Sequence, residues 1–452
     1  MANLYGWRRA IRDTVVSIFM AAGGMAALPA SAADPVLPQY GQDTHLGVVT
    51  CAGSTCHGSV QTWPDSTVLQ NEYITWQKND KHAKAYAVLL NEQSKRIAAN
   101  LGLKDAHTAD LCLDCHANNP PQNLRGKTFQ ISDGVGCEAC HGGAVRWLGL
   151  HVSGTATHAD NIAAGLYPTE EPIARAKLCL SCHFGMDKKF VTHRIMGAGH
   201  PRMAFELDTF TAVQPAHFKV DADYRKRKQV SNGVQTWAIG QAVALSEMMA
   251  AMMDPKRGRD GIFPELVLFD CHACHHPMSN LRWQPRASTG LGPGVPKIND
   301  ANMIMLYILA RQIDPDSGKG LRDAGLAMHK ASTQGAEEMA TAAAKVKEIA
   351  DRLVNVFAKH KFNKETMQAL LDGALADGRK GEYVEYAAAE QATMAISAII
   401  NAMGNAGYID GGQLDAMNKA AEGLYDAVAK DEEYKPQGFV AALTKFQASV
   451  PK

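Results

Sequence analysis

Ten cysteines, arranged as five pairs that each end in a histidine, constrain this 452-residue chain more than any other feature. The pairs are Cys51 and Cys56 before His57, Cys112 and Cys115 before His116, Cys137 and Cys140 before His141, Cys179 and Cys182 before His183, and Cys271 and Cys274 before His275. The chain has 17 histidines, so chance would place one after every pair in roughly one of ten million sequences. The pattern therefore reflects a shared chemistry.

Two cysteines separated by two residues and followed at once by histidine are typical of covalent haem attachment. The cysteines anchor the porphyrin through thioether bonds, and the histidine is the proximal iron ligand. Disulfides and zinc ribbons also use paired cysteines, but neither requires the adjacent histidine. The first pair has a spacer of four residues, which is unusual, and is still predicted to bind haem. We therefore predict five covalently attached haem c groups, each with one iron.

The third motif lies in the stretch DGVGCEACHGGAVRWLGLH, from Asp133 to His151, and is flanked by glycines on both sides. Glycine has no Cβ, so its backbone can approach a flat macrocycle closely. His151 follows the motif by ten residues and is a candidate for a second axial ligand.

Twelve histidines lie outside the motifs, and ten of them precede residue 290. This excess predicts irons with two histidine ligands, although Met196 or Met203 could replace one of them. The predicted distal ligands are His45, His82, His151, His193 and His200, with His217 as the reserve. Gly197, Gly199 and Pro201 predict a loop that presents His193 and His200 to two different haems. The last two histidines, His329 and His360, are predicted to lie on helix surfaces.

The first 32 residues resemble an export signal. Arg8, Arg9 and Arg12 precede an apolar run that is too short to span a bilayer, and Ala30-Ser31-Ala32 fits a cleavage site. We therefore expect a periplasmic protein that is cleaved near Ala32 and has no stable membrane anchor. Basic and acidic residues are equal in number, at 46 each, so the composition does not indicate a nucleic-acid partner.

The fold class is predicted to be mainly α, in two domains after the signal peptide. Residues 34–286 carry every cysteine, have little ordinary apolar core and are predicted to wrap around haems. A segment rich in proline and glycine follows, and residues 298–452 are predicted to form an antiparallel bundle of four or five helices. Within this bundle, a stripe from Met339 to Val356 should face partner helices. The bundle could also mediate homo-oligomerisation.

Several segments together resemble the cytochrome c-554 type of multihaem cytochrome. They are HLGVVTCAGSTCHG, EYITWQKNDKHAKAY, GVGCEACHGGAVRWLGLH, HRIMGAGHPRMAFELDTF and FDCHACHHPM, which cover roughly residues 45 to 284. The resemblance implies a helical, haem-packed fold that passes electrons between periplasmic redox proteins. This chain differs in carrying five motifs and a long C-terminal extension.

Two function classes remain open from the sequence. The first is an electron-transfer protein with periplasmic redox proteins as donor and acceptor. The second is a multihaem oxidoreductase acting on a small nitrogen or sulfur compound, such as hydroxylamine, nitric oxide or nitrite. Catalysis of that kind requires a haem with an open axial position, whereas a carrier does not. The number of available distal histidines favours the carrier.

Overall fold

Short helices joined by irregular loops form the cysteine-rich part of the computed structural model, and long helices form the rest. The structure describes residues 35–259, 264–276 and 285–451. The predicted signal peptide and its cleavage position near Ala32 lie outside these residues. The fold is mainly α, as predicted, and the described residues contain a single two-stranded hairpin.

The described residues up to 259 contain twelve α-helices, of which only the last exceeds four turns. They are α1 (Glu72–Asn79), α2 (Ala85–Val88), α3 (Glu92–Asn100), α4 (Asp110–His116), α5 (Cys137–His141), α6 (Leu148–His151), α7 (His158–Ala163), α8 (Pro172–His183), α9 (His193–Gly197), α10 (Leu207–Val213), α11 (Ala222–Arg227) and α12 (Gly233–Met253). The antiparallel hairpin of β1 (Gly185–Met186) and β2 (Lys189–Phe190) lies between α8 and α9.

The C-terminal part is built from seven further helices. They are α13 (Ala301–Ile313), α14 (Pro315–Ala331), α15 (Ala336–Lys359), α16 (Lys364–Arg379), α17 (Tyr386–Asn405), α18 (Gly411–Ala427) and α19 (Pro436–Ser449). The bundle therefore has more helices than the four or five predicted; one that the sequence does not indicate is α14, whose three glycines obscure its helical character. Two of these glycines allow close packing: a Cβ on Gly318 would lie 2.9 Å from the Arg311 backbone, and one on Gly325 would lie 2.7 Å from the Met303 sulfur.

Helix α12 is the central element of the apolar core. Trp237, Ile239, Leu245 and Met249 are fully buried, and the helix packs against α8, α15 and α17. Its buried Gln241 is satisfied on both sides of the amide, because it donates to the Gln391 side chain at 2.7 Å and accepts from Asn302 at 2.8 Å. A helix that is apolar all round is stable only when neighbours cover every face.

The core therefore crosses the domain boundary that was predicted near residue 286. One cluster of buried side chains runs from Ala176 in α8 to Phe446 in α19, and residues Pro35–Lys452 form one compact unit. The stripe on α15 faces this core as predicted, with Met339, Val346 and Leu353 buried. The prediction that His329 lies on a helix surface is wrong, because its ring is buried and forms a hydrogen bond with Asp300.

Few buried apolar side chains surround the cysteine motifs, as expected. Apart from the main cluster, the apolar clusters of this part have five and three buried residues, around Leu113 and Tyr167. Among the described residues, no helix combines the length and the apolar character that a bilayer span requires.

Gly240 allows a close contact between α12 and α10. A Cβ at this position would lie 2.6 Å from the Leu207 Cβ. We expect Gly240→Ala to lower the free energy of unfolding by about 1–3 kcal/mol, because overpacking outweighs the gain in helix propensity. The matched control is Gly423→Ala in α18, which meets no atom within 4 Å and should raise stability slightly. Thermal unfolding of the two variants measures the difference, and equal changes would contradict this assignment of the packing.

Candidate functional site

Three of the five motifs lie at the C-terminal ends of helices. Helices α4, α5 and α8 end at His116, His141 and His183, so each places both cysteines and the histidine in its last turns. Side chains at positions i, i+3 and i+4 share one face of a helix. The two thiols and the imidazole of each motif can therefore reach one flat group on that face.

The first motif accommodates its longer spacer in a tight loop. The His57 amide donates to the Cys51 carbonyl at 3.1 Å, and the amides of Cys56 and Gly58 both donate to the Gly53 carbonyl at 2.9 Å. A Cβ on Gly58 would lie 2.0 Å from the Ala52 carbonyl oxygen, so only glycine fits there. The two additional residues are taken up in this loop, which returns Cys56 and His57 to the vicinity of Cys51.

Each motif histidine faces one histidine from elsewhere in the chain. The ring centroids are separated by 5.9 Å for His57 and His151, 6.4 Å for His116 and His200, 6.4 Å for His141 and His217, 6.2 Å for His183 and His82, and 6.2 Å for His275 and His193. We number these pairs with their cysteines as sites 1 to 5, in the order of the motifs. His193 and His200 do face two different motifs, as predicted, although His193 is the first residue of helix α9 and only His200 lies in the loop that follows it.

His217, the reserve candidate, faces a motif histidine, whereas His45, which was predicted to be a distal ligand, does not. The His45 ring is buried and accepts a hydrogen bond from the Asn118 amide at 3.0 Å, while its backbone pairs with Leu124 and Gly126. None of the five motif rings among the described residues is paired with it. His217 instead lies on the irregular segment between α10 and α11 and reaches His141.

Hydrogen bonds at Nδ1 leave Nε2 of several rings free to face the partner ring. His57 Nδ1 bonds Glu72 at 2.9 Å and His82 Nδ1 bonds Asp80 at 2.9 Å, while His116 and His200 bond the carbonyls of Ala85 and Pro201. Such second partners fix the orientation of an imidazole and raise its basicity as a ligand.

These hydrogen bonds also shift the pKa values. The bond to Glu72 raises the pKa of His57, and the bond to Asp80 raises the pKa of His82. Burial alone would raise the pKa of Asp80, but its bonds from the His82 ring and amide lower it to about 2. Asp80 is therefore ionised at neutral pH and can orient His82.

Two motif histidines are held neutral by burial. Burial lowers the pKa of His141 to about 3, with a contribution from nearby His217, and lowers the pKa of His183 to about 4. A neutral imidazole has a lone pair available, which is the form that binds a metal. Both rings are ready to act as ligands at neutral pH.

Cysteines of different motifs lie next to one another. Cys51 of site 1 is within hydrogen-bonding reach of Cys137 of site 3, and Cys115 of site 2 is within reach of Cys182 of site 4. Cys140 of site 3 lies near Cys179 and Cys182 of site 4, close enough for their charges to interact.

Glu138, the residue inside the third motif, joins sites 1 and 3. Its carboxylate is buried and accepts hydrogen bonds from the amides of Leu46 and Gly47, both at 2.7 Å, and of Ala144 at 2.8 Å. The sequence analysis did not single out Glu138. An acidic side chain between the two cysteines of a motif could have indicated a hydrogen-bond acceptor at the site.

Gly134, which precedes the third motif, allows the backbone of site 4 to approach closely. Gly134 has a φ of +74°, and its Cβ would lie 2.8 Å from the carbonyl oxygen of His82 in site 4. The next amide, of Val135, donates to that same carbonyl at 3.1 Å. Close approach of another chain segment is the reason that glycine is required at this position.

Site 5 is tied to the helical bundle by buried charges. Asp270, which precedes Cys271, lies 3.7 Å from Lys297, and Lys297 in turn bonds Glu385 of the bundle at 2.8 Å. Burial raises the pKa of Asp270 to about 6. Arg286 continues the network by pairing with Glu385, Asp300 and Glu382, and His329 bonds Asp300 at 3.0 Å.

The profile of a family described as cytochrome c554 and c-prime matches residues 46–142, which include the first three motifs. This part of the chain is similar to the cytochrome c554 family. Searches of curated proteins and of solved structures found no match. Proteins of this family are multihaem c-type cytochromes of electron transfer, and they bind haem c covalently.

The five histidine pairs have the dimensions that haem requires. Two imidazoles bound to one iron at about 2.0 Å, with each ring centroid about 1.2 Å further out, have centroids about 6.4 Å apart. The five observed separations, 5.9 to 6.4 Å, agree with this value. All ten thiols are free for thioether bonds. Exposed apolar side chains beside the distal rings, such as Val213 and Phe218 near His217, offer surface to a flat apolar group.

Proposed function

We propose that this protein is a periplasmic electron carrier with five haem c groups, each held by two cysteines and by two histidines. The pairing of every motif histidine with a second histidine is the observation that carries the proposal. The ten cysteines would hold the porphyrins, and the histidines of sites 1 to 5 would be the axial ligands. Bound haem would supply one-electron redox chemistry at each site.

The same pairing argues against the alternative of a small-molecule oxidoreductase. A substrate such as nitric oxide or hydroxylamine needs an open position on an iron. In each of the five sites, a second histidine ring faces the motif histidine with centroids 5.9 to 6.4 Å apart, including site 1 with its unusual spacer. Among the described residues, each motif histidine therefore has a second histidine that would fill the position a substrate needs.

The cysteine contacts support a continuous row of sites. Site 1 adjoins site 3 through Cys51 and Cys137, site 3 adjoins site 4 through Cys140 and Cys179, and site 4 adjoins site 2 through Cys182 and Cys115. The segment that carries His193 and His200 extends the row from site 2 to site 5. We infer the order 1, 3, 4, 2, 5, with sites 1 and 5 nearest to the redox partners.

Export to the periplasm is part of this proposal and is supported by the signal-like residues 1–32. The donor and acceptor would be other periplasmic redox proteins. A role of the bundle in homo-oligomerisation stays a prediction.

Carbon monoxide binding to the reduced protein tests the proposed function, because this ligand needs an open position on ferrous haem. We expect no spectral change on adding carbon monoxide to the full haem-loaded protein. His217→Ala should create one binding haem per chain, since His217 lies on a loop and its removal disturbs little else. The control is His107→Ala, because the His107 ring packs edge-on against Tyr86, with centroids 6.5 Å apart, and faces no motif histidine among the described residues.

Stoichiometric carbon monoxide binding by the unaltered protein would contradict the carrier assignment and favour the oxidoreductase. Binding that stays absent in His217→Ala would contradict the assignment of His217 as the distal ligand of site 3.

A further inference from the structure

A short hairpin follows the fourth motif and turns the chain back onto it. Strands β1 and β2 are joined by the two residues Asp187 and Lys188, and Lys189 pairs with Met186. Asp187 adopts a φ of +48°, which tight two-residue turns of this kind require. The Tyr40 hydroxyl donates to the Asp187 carboxylate and fixes the tip of the hairpin.

The hairpin places the Lys189 ammonium between sites 2 and 4. Its Nζ lies 3.3 Å from the Cys182 sulfur of site 4 and 3.5 Å from the main-chain carbonyl of Asp114, the neighbour of Cys115 in site 2. The side chain is buried, at 9% exposure. Among the described residues, no carboxylate forms an ion pair with Lys189.

A buried ammonium without a carboxylate partner is costly, so its presence between two redox sites calls for a role. In low-dielectric surroundings, a fixed positive charge favours the state of a neighbouring group that has gained an electron. Because Lys189 contacts both sites, it should affect the two haems together.

We propose that Lys189 is a positioning residue that raises the reduction potentials of the haems at sites 2 and 4. This inference rests on the proposed attachment of haem at Cys115 and Cys182. The positive charge lies in the middle of the inferred row. The haems of sites 2 and 4 would therefore be reduced in preference to the other haems of the carrier.

Redox titration of the haem-loaded protein, followed by optical absorption, tests this inference. Lys189→Met should shift the midpoint potentials of two of the five haems downward and leave the other three unchanged. Lys189→Gln should give the same shift while keeping a donor for the Asp114 carbonyl, and Lys189→Arg should restore the potentials. The matched control is Lys188→Met, which removes an exposed lysine from the adjacent turn position and should shift none.

Unchanged potentials in both Lys189→Met and Lys189→Gln, with five haems counted by intact mass, would overturn this inference alone. A wild-type protein without attached haem would instead overturn the proposed function. The two failures are therefore distinguishable in one set of samples.

Discussion

Replacing Arg286 by methionine is expected to lower the free energy of unfolding by about 3–5 kcal/mol, because it leaves buried carboxylates without their counter-charge. The Arg286 side chain is buried and pairs with Asp300, Glu385 and Glu382. Asp300 and Glu385 are themselves buried, so neither can be hydrated without opening the structure. Chemical unfolding followed by circular dichroism measures the loss.

The control for Arg286→Met is Arg322→Met, which removes an exposed arginine whose ion pair with Asp323 spans 3.8 Å. Surface pairs of this kind contribute about 0–1 kcal/mol, so the control should unfold much like the unaltered protein. A loss below about 1 kcal/mol for Arg286→Met would show that the network is dispensable for the bundle.

Replacing Cys137 and Cys140 together by alanine is expected to remove one haem and to destabilise the neighbouring sites. Cys137 of site 3 lies beside Cys51 of site 1, Cys140 of site 3 lies near Cys179 of site 4, and the motif region has little apolar core of its own. Emptying a buried Phe or Trp position costs about 3–5 kcal/mol, and a porphyrin is larger than either side chain. We therefore expect at least that loss, with four haems by intact mass.

The control for the central pair is the double replacement of Cys51 and Cys56, at the end of the inferred row. Cys56 is exposed, so this change should also remove one haem but cost less stability. Equal losses in the two variants would contradict the inference that site 3 occupies an interior position.

The sequence was most informative where chemistry depends on adjacent residues. The cysteine and histidine spacing predicted the five motifs, and the apolar stripe on α15 predicted a buried face that the structure confirms. Long-range placement was harder to predict. Neither the residues around His45 nor those around His217 show whether the ring faces a motif. Only the folded chain shows that Asn118 holds the His45 ring while a loop carries His217 to His141.

Other features depended on contacts that no local pattern encodes. The glycines of α14 obscured its helical character, because their value lies in close packing against Arg311 and Met303. Lys189 resembles any exposed lysine until the hairpin turns it onto Cys182. The buried charges that join Asp270 to the bundle likewise come from four separate segments of the chain.

Electron paramagnetic resonance of the fully oxidised protein tests most directly whether five histidine pairs hold five irons. The expected spectrum contains only low-spin ferric signals that integrate to five haems per chain. A high-spin ferric signal of one haem per chain would contradict the pairing and would mark an iron with an open position.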